Sequence, residues 1–256
     1  MNKETIANNF SEYASSYDHN TDIQQETGRM LAKMLPGEGV ANILEIGCGT
    51  GGYTSVLKEA FRHARIRAID ISGAMVRLAR QKLNDERISF EVGDAEEVSL
   101  GDEYDLITSN AVFHWFSDLE GVVRKAERSI RENGTLAFSA LGPITFSELR
   151  ASLNSATGEK IPIASDLFPK KADIEGILKK YFKDIKITER LIRESYGSLH
   201  ELLKKIKYSG TRGRGADIRK MWSPDLLKKI EREYIGRFGA VEATYQVFFC
   251  EAKKCR

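Results

Sequence analysis

The sequence predicts an α/β protein built on a doubly wound, seven-stranded, mostly parallel sheet, with a small helical insertion near the C-terminus. Three observations carry this expectation. Short apolar runs alternate with segments of helical period from Asn42 to Ala140, a glycine-rich turn follows the first run, and two longer strand-like segments close the chain with helical segments between them. Strands separated by helical crossovers pair in parallel, and such crossovers are right-handed.

Taken in order, Asn42–Ile46 is apolar enough for a strand buried on both faces, and Arg67–Ile71, Ile88–Val92, Tyr104–Ser109 and Thr135–Ala140 repeat the pattern. Tyr53–Phe61 fills the first gap as a helix, and Ala74, Met75, Leu78, Ala79 and Leu83 recur at helical spacing in the second. Capping boxes are expected at Ser117 with Glu120, Thr145 with Glu148 and Ser198 with Glu201, each a hydroxyl followed three residues later by a carboxylate. Ile185–Arg193 and Ala243–Glu251 read as the last strands, with Ser198–Tyr208 and Ser223–Phe238 as helices between them. Ser223 before Pro224 is a helix start, because proline suits the first helical position. The expected organisation is one domain: a helical cover over 1–38, a core over 39–196, a helical lid over 197–238 and a final strand over 239–256.

The 256 residues are long enough to bury one substantial core. A formal net charge of +2 gives no global case for nucleic acid or an anionic membrane. The polar start and the lack of a run approaching roughly 20 apolar residues lead us to expect neither signal peptide nor anchor, and a cytoplasmic protein. Cys48, Cys250 and Cys255 lack paired spacing and the four histidines are scattered, so neither a disulfide framework nor a metal site is expected.

The chemistry concentrates in Glu45-Ile-Gly47-Cys48-Gly49-Thr50-Gly51-Gly52, where the first strand ends. Gly47, Gly49 and Gly52 satisfy the GxGxxG of dinucleotide sites, whereas Gly47, Gly49 and Gly51 satisfy the GxGxG of methyltransferases. Asp70, closing the second strand, is placed to hold both hydroxyls of a ribose, which either ligand carries. Gly93-Asp94-Ala95 resembles the methyltransferase position where a carboxylate meets the adenine amino group, and Glu45 before the first glycine is also a methyltransferase habit. The strand Asp105–Asn110, followed by Ala111-Val-Phe-His114-Trp115, looks like the fourth methyltransferase motif.

With these pieces named, the chain resembles the malonyl-acyl-carrier-protein O-methyltransferases of biotin synthesis over nearly its whole length. Phe10, Tyr17-Asp18, Ile43–Gly51, Ser109-Asn110, Trp115, Phe138–Arg150 and Ala243–Lys254 carry the resemblance, while Phe113-His114 stands where that family usually shows a leucine-glutamine pair. The resemblance implies a class I methyltransferase with S-adenosylmethionine as cofactor and a malonyl group on acyl carrier protein as acceptor. It assigns the cofactor to Tyr17, Glu45, Gly47, Cys48, Gly49, Gly51, Asp70, Ile71, Met75, Asp94, Ala95 and Asn110, with Tyr17 also positioning the reaction.

A malonyl carboxylate titrates near about 4, so no general base is expected and the task is alignment and exclusion of water. Arg150 is the candidate for holding that carboxylate, against the alternative of an arginine on a helix face. His114 is expected as a wall of the acceptor pocket rather than a base, and Trp115 as its lining. The insertion from Gly197 to Lys220 holds Lys204, Lys205, Lys207, Arg212, Arg214, Arg219 and Lys220 against Glu201 and Asp217. Lys204, Lys205, Arg212 and Arg214 are therefore expected to dock the acidic carrier protein, against the bland alternative of a solvated helix face. Competing readings are a methyltransferase of another small acid such as trans-aconitate or of a quinone precursor, an NAD(P)-dependent oxidoreductase, and a non-catalytic S-adenosylmethionine-binding protein.

Overall fold

A computed structural model describes residues 3–209 and 223–255 of the chain. Helices α1 (Lys3–Tyr13) and α2 (Asp22–Ala32), joined by the tight helical segment Ala14–Asn20, precede the first strand, β1 (Asn42–Ile46). The alternation then runs α3 (Gly52–Ala60), β2 (Arg65–Asp70), α4 (Gly73–Lys82), β3 (Ile88–Val92) and β4 (Tyr104–Ser109). After the short turn Phe113–Trp115 come α5 (Leu119–Ser129), β5 (Ile130–Leu141), α6 (Ser147–Thr157), α7 (Lys171–Tyr181) and β6 (Asp184–Tyr196). Helices α8 (Leu199–Tyr208) and α9 (Pro224–Phe238) lie between β6 and the last strand, β7 (Val241–Lys253).

The strands form one seven-stranded sheet in the order β3-β2-β1-β4-β5-β7-β6. Neighbours pair in parallel from β3 through β5, while β7 runs antiparallel to both β5 and β6. The order reverses between β1 and β4, which opens a crevice at the carboxyl ends of those strands. The expected sheet is therefore present, and β5, β6 and β7 extend beyond the segments read from the sequence.

Alternate residues of the central strands feed two separate cores. Ile43, Leu106, Ala137 and Phe249 face the layer that includes Leu31 of α2, Leu57 of α3, Leu153 of α6 and Tyr234 of α9. Leu44, Ile107, Phe138 and Cys250 face Val122 and Ala126 of α5 and Leu178 of α7. Burial on both faces explains why the strands read as continuous apolar runs.

Two expected capping boxes are absent, and local competition explains each. Asp118, not Ser117, caps α5 by accepting the Gly121 N–H at 2.8 Å, and Glu120 is drawn instead to Lys180 at 2.7 Å. Thr145 turns towards β7, accepting the Gln246 N–H at 3.2 Å, and Glu148 accepts the Thr244 N–H at 3.1 Å; α6 starts after Phe146, which has a left-handed backbone. The third is half realised. Ser198 caps α8 through the Glu201 N–H at 3.2 Å, whereas the Glu201 carboxylate takes the N–H of Gly197 rather than that of the cap. Ser223 caps α9 through Leu226, with Pro224 in the first turn.

Candidate active site

The turn after β1 forms the floor of the crevice. Gly47 has φ 75°, and a Cβ there would lie 2.2 Å from Cγ2 of Val112, so only glycine lets the segment after β4 approach this closely. Gly51 also sits in the left-handed region, at φ 83°, against Ala79 and Leu83, whereas Gly52 is an ordinary helical residue with open space at its Cβ position. Conformational need thus falls on Gly47, Gly49 and Gly51, the GxGxG reading of the motif.

Two cavities meet at this turn. One, of about 400 Å³, is the more polar of the two and is lined by Tyr17, Asp18, Gln24, Arg29, Cys48 and Asn110 together with the glycine turn and the start of α3. The other, of about 90 Å³, is closed by Lys3, Ile6 and Phe10 of α1 over Asp70, Ile71, Met75, Asp94, Ala95 and Trp115. Tyr17, Gly47, Gly49 and Asn110 line both. The first volume lies within the range of roughly 300–1,000 Å³ usual for small-molecule sites; the second is smaller because α1 is folded down on it.

Asp70 builds the junction. Its Oδ2 accepts the Gly49 N–H and its Oδ1 the Ser72 N–H, both at 2.8 Å. Burial raises its pKa above the ordinary carboxylate value, against those two backbone bonds, which lower it. Asn110, at the end of β4, is fixed from three directions: Oδ1 accepts from Thr27 at 2.9 Å and Ser139 at 2.7 Å, and Nδ2 donates to the Gln24 carbonyl at 2.7 Å. Tyr17 is held over the turn by its neighbour Asp18, which accepts from Thr50 and pairs with Lys82 at 2.8 Å. Burial, with the charges of Asp70 and Asp18, pushes the Tyr17 hydroxyl far above its usual range, so it remains a donor. Asp94 accepts the Glu96 N–H at 2.9 Å and pairs with Lys3 at 2.7 Å.

Other expected residues fall elsewhere. Glu45 lines neither cavity: it is fully buried behind the turn, and burial, opposed by the neighbouring Thr54 hydroxyl and reinforced by the Asp70 charge, raises its pKa to about 8. Cys48 is a free, buried thiol whose pKa burial drives up, so it serves the cavity as wall. His114 is 2% exposed behind Trp115, with ring centroids 4.9 Å apart, and lines neither cavity. Arg150 is engaged internally: Nη2 donates to the Pro143 carbonyl at 2.7 Å and Ser165 Oγ at 3.0 Å, and Nε lies 3.1 Å from an oxygen of Asp166.

The basic segment divides similarly. Lys204 is exposed and makes no ion pair with a described residue, but Lys205 is only 15% exposed in its side chain, bridging Asp22 of α2 and Glu194 of β6. Lys205 therefore ties α8 to α2 and β6, while Lys204 faces solvent. Lys207 lies over the rings of Tyr13 and Tyr208, at 5.4 and 5.5 Å, and those rings pack edge to face at 5.1 Å. Arg212 and Arg214 lie outside the described residues.

Sequence reasoning missed Lys3, Gln24, Arg29 and Phe168. The first three reach the cavities from helices that precede the sheet, where no motif marks them. Phe168 packs on both His114 and Trp115, at 4.5 and 5.6 Å, from a loop beyond α6.

Residues 44–138 match the family model described as "Methyltransferase domain". The chain is 34% identical to the malonyl-[acyl-carrier protein] O-methyltransferase of Acetivibrio thermocellus, over 99% of this chain and 95% of that protein. It is 31% identical to the protein of the same name from Bacillus cytotoxicus, over 99% and 93%. Among solved structures, the YcgJ protein of Bacillus subtilis covers 90% of this chain and 99% of its own, with TM-score 0.62 and 18% identity. A phosphoethanolamine N-methyltransferase 2 of Haemonchus contortus, solved with S-adenosylhomocysteine, covers 90% of this chain and 52% of its own, with TM-score 0.58 and 17% identity. These two likenesses bear on the fold.

Proposed function

Because this chain belongs to the malonyl-[acyl-carrier protein] O-methyltransferase family, we propose that it transfers a methyl group from S-adenosylmethionine to the free carboxylate of a malonyl group carried on acyl carrier protein, as a cytoplasmic step of biotin synthesis. The observation that carries the geometric side of this reading is the meeting of two cavities across Gly47 and Gly49, the more apolar of them lined by Asp70, Ile71, Met75, Asp94 and Ala95 beneath α1. A ligand with a charged amino-acid end and an adenosine end suits that arrangement.

Asp70 is assigned the ribose hydroxyls: each of its oxygens keeps a lone pair beyond the one given to the backbone. Ile71, Met75 and Ala95 sandwich the base, and Asp94 takes its amino group once Lys3 yields the position. Asn110, Tyr17, Gln24 and Arg29 receive the amino-acid end. Bound there, S-adenosylmethionine supplies a sulfonium methyl, whose transfer to a carboxylate removes one positive and one negative charge and moves no proton.

The protein's own work is positional. A malonyl carboxylate, with a pKa near about 4, arrives ionised, so no side chain has to take a proton from it. Tyr17 and Trp115 hold the reacting groups in line and keep water out, which places this catalysis among entropy and desolvation effects. Lys204, exposed on α8, is retained as a docking residue for the acidic carrier.

Mass spectrometry of malonyl-carrier protein after incubation with enzyme and S-adenosylmethionine tests the reading. A product heavier by one methyl and base-labile as an ester is expected; an unchanged carrier in the presence of cofactor-binding enzyme overturns it.

A further inference from the structure

The side-chain amide of Asn110, just past the end of β4, is held so that its two ends cannot change places. Its Nδ2 lies 2.7 Å from the Gln24 carbonyl oxygen, an atom that can only accept. Turned over, the amide would set two acceptor oxygens together with no hydrogen between them. The other end agrees. Ser139 Oγ accepts the Ala111 N–H at 2.8 Å, so its own hydrogen goes to Asn110 Oδ1 at 2.7 Å. Thr27 Oγ1 reaches the same oxygen at 2.9 Å, while the Gln24 carbonyl, its alternative acceptor, is farther away at 3.1 Å. Thr27 and Ser139 are both fully buried.

An amide side chain offers an oxygen with two lone pairs and a nitrogen with two hydrogens. Thr27 and Ser139 occupy the oxygen and Gln24 takes one hydrogen, which leaves one N–H with no acceptor among the described residues. Asn110 lines both cavities, and Nδ2 stands towards the larger: a Cβ at Gly28, which lines only that cavity, would lie 3.2 Å from it. Arg29, the next residue of α2, brings a positive charge to the same cavity. On this wall Asn110 can give a hydrogen but cannot receive one. An amino-acid moiety presents a carboxylate, which only accepts, and an ammonium, which only donates. The clamped amide suits the first and excludes the second.

We infer that the free Asn110 N–H holds the carboxylate of S-adenosylmethionine, and that Thr27 is a positioning residue that fixes the amide in this polarity. Thr27 lines neither cavity and acts through Asn110 alone. The inference rests on the reading of the two cavities as one cofactor site. The malonyl carboxylate is the other anion of the reaction, but Gly28 and Arg29 beside the amide belong to the cavity of the amino-acid end, and Trp115 lines only the other.

The test uses the full chain and a pair of ligands that differ by a single group: S-adenosylhomocysteine and its decarboxylated analogue, which keeps the amine. In calorimetric titration, Asn110→Ala is expected to bind S-adenosylhomocysteine about ten- to a hundredfold more weakly and the analogue less than about twofold more weakly. Thr27→Val, of the same shape without the hydroxyl, is expected to cost S-adenosylhomocysteine about three- to tenfold and spare the analogue, and Thr27→Ser to come within about twofold of wild type. Loss of a merely structural prop would weaken both ligands alike, so equal losses in folded protein overturn the inference. A Thr27→Ser protein no better than Thr27→Val overturns the positioning role. An Asn110→Ala protein with normal S-adenosylhomocysteine affinity and a raised KM for malonyl-pantetheine overturns the assignment too, by giving the N–H to the acceptor. Thermal melts report folding, and should Asn110→Ala not fold, the ratio of the two affinities in Thr27→Val decides. Wild type that binds neither ligand sinks the cofactor reading itself, whereas wild type that binds S-adenosylhomocysteine beside variants without selectivity sinks this inference alone.

Discussion

The Asp70 carboxylate and the Gly49 amide are joined by a 2.8 Å hydrogen bond, so the end of β2 and the glycine turn after β1 form one rigid unit. The carboxylate holds the apo turn in shape and is the proposed ribose ligand at once. Asp70→Ala is therefore expected to weaken S-adenosylhomocysteine binding by about a hundredfold or more, from the loss of two charge-assisted bonds of roughly 1.5–3 kcal/mol each. Because the Gly49 and Ser72 amides lose their partner too, the melting temperature should fall in the same variant. Calorimetric titration beside a thermal melt checks both, and near-normal cofactor affinity would remove the ribose assignment.

Gly47→Ala should be destabilising on two counts. Its φ of 75° disfavours any side chain, and the new Cβ would meet Val112 at 2.2 Å. The expected cost is about 2–4 kcal/mol. Adding Val112→Ala should recover the steric share and leave the backbone share, a split that denaturant titration of the double-mutant cycle measures.

Glu45 makes stability depend on pH in a defined direction. Its folded pKa of about 8 lies above the ordinary value of 4.5, so the folded state holds the proton longer than the unfolded chain. Its contribution is complete below about pH 4.5 and is lost as pH rises towards 8, with a limiting slope of about 1.4 kcal/mol per pH unit. Glu45→Gln, neutral and of similar shape, should flatten that stretch and be the more stable protein at pH 8. A Glu45→Gln protein whose stability still fell across the same range would place the titrating group elsewhere.

The two adjacent lysines of α8 should separate cleanly. Lys204→Glu is expected to raise KM for malonyl-carrier protein about two- to fivefold at low salt, with little change in melting temperature and with the effect fading as salt rises. Lys205→Glu sets a carboxylate against Asp22 and Glu194, and should cost about 1.5–3 kcal/mol of stability. Paired melts and salt-dependent kinetics distinguish a docking charge from a tie.

The strands β1, β3 and β4 were legible to the residue, β1 and β4 because Ile43, Leu44, Leu106 and Ile107 are buried on both faces and the edge strand β3 because Ile88, Phe90 and Val92 alternate with polar residues. The glycine turn and Asp70 were legible for a related reason: a backbone that must turn left-handed and a carboxylate at a strand end are local requirements. What could not be read were relationships across the chain. Lys205 and Asp22 are 183 residues apart, and nothing near either says that they meet. Thr145 and Glu148 had the spacing of a cap, yet β7 offered backbone donors that the spacing could not reveal. Arg150 had the right chemistry for a carboxylate, and only the structure shows that its Nη2 serves Pro143 and Ser165 while Nε faces Asp166.

The contact of Tyr208 with Tyr13 has a consequence for how the enzyme must be measured. Tyr13 directly precedes the segment that carries Tyr17 and Asp18 over the glycine turn, and Lys205 ties the same helix to Asp22 just beyond it. A partner that shifted α8 would therefore act on the segment that lies over the glycine turn. Linkage makes that connection reciprocal: the factor by which the carrier-bound acceptor changes cofactor affinity is the factor by which the cofactor changes acceptor affinity. A dissociation constant obtained with the cofactor alone is then one side of a thermodynamic square, and the working affinity belongs to the ternary complex.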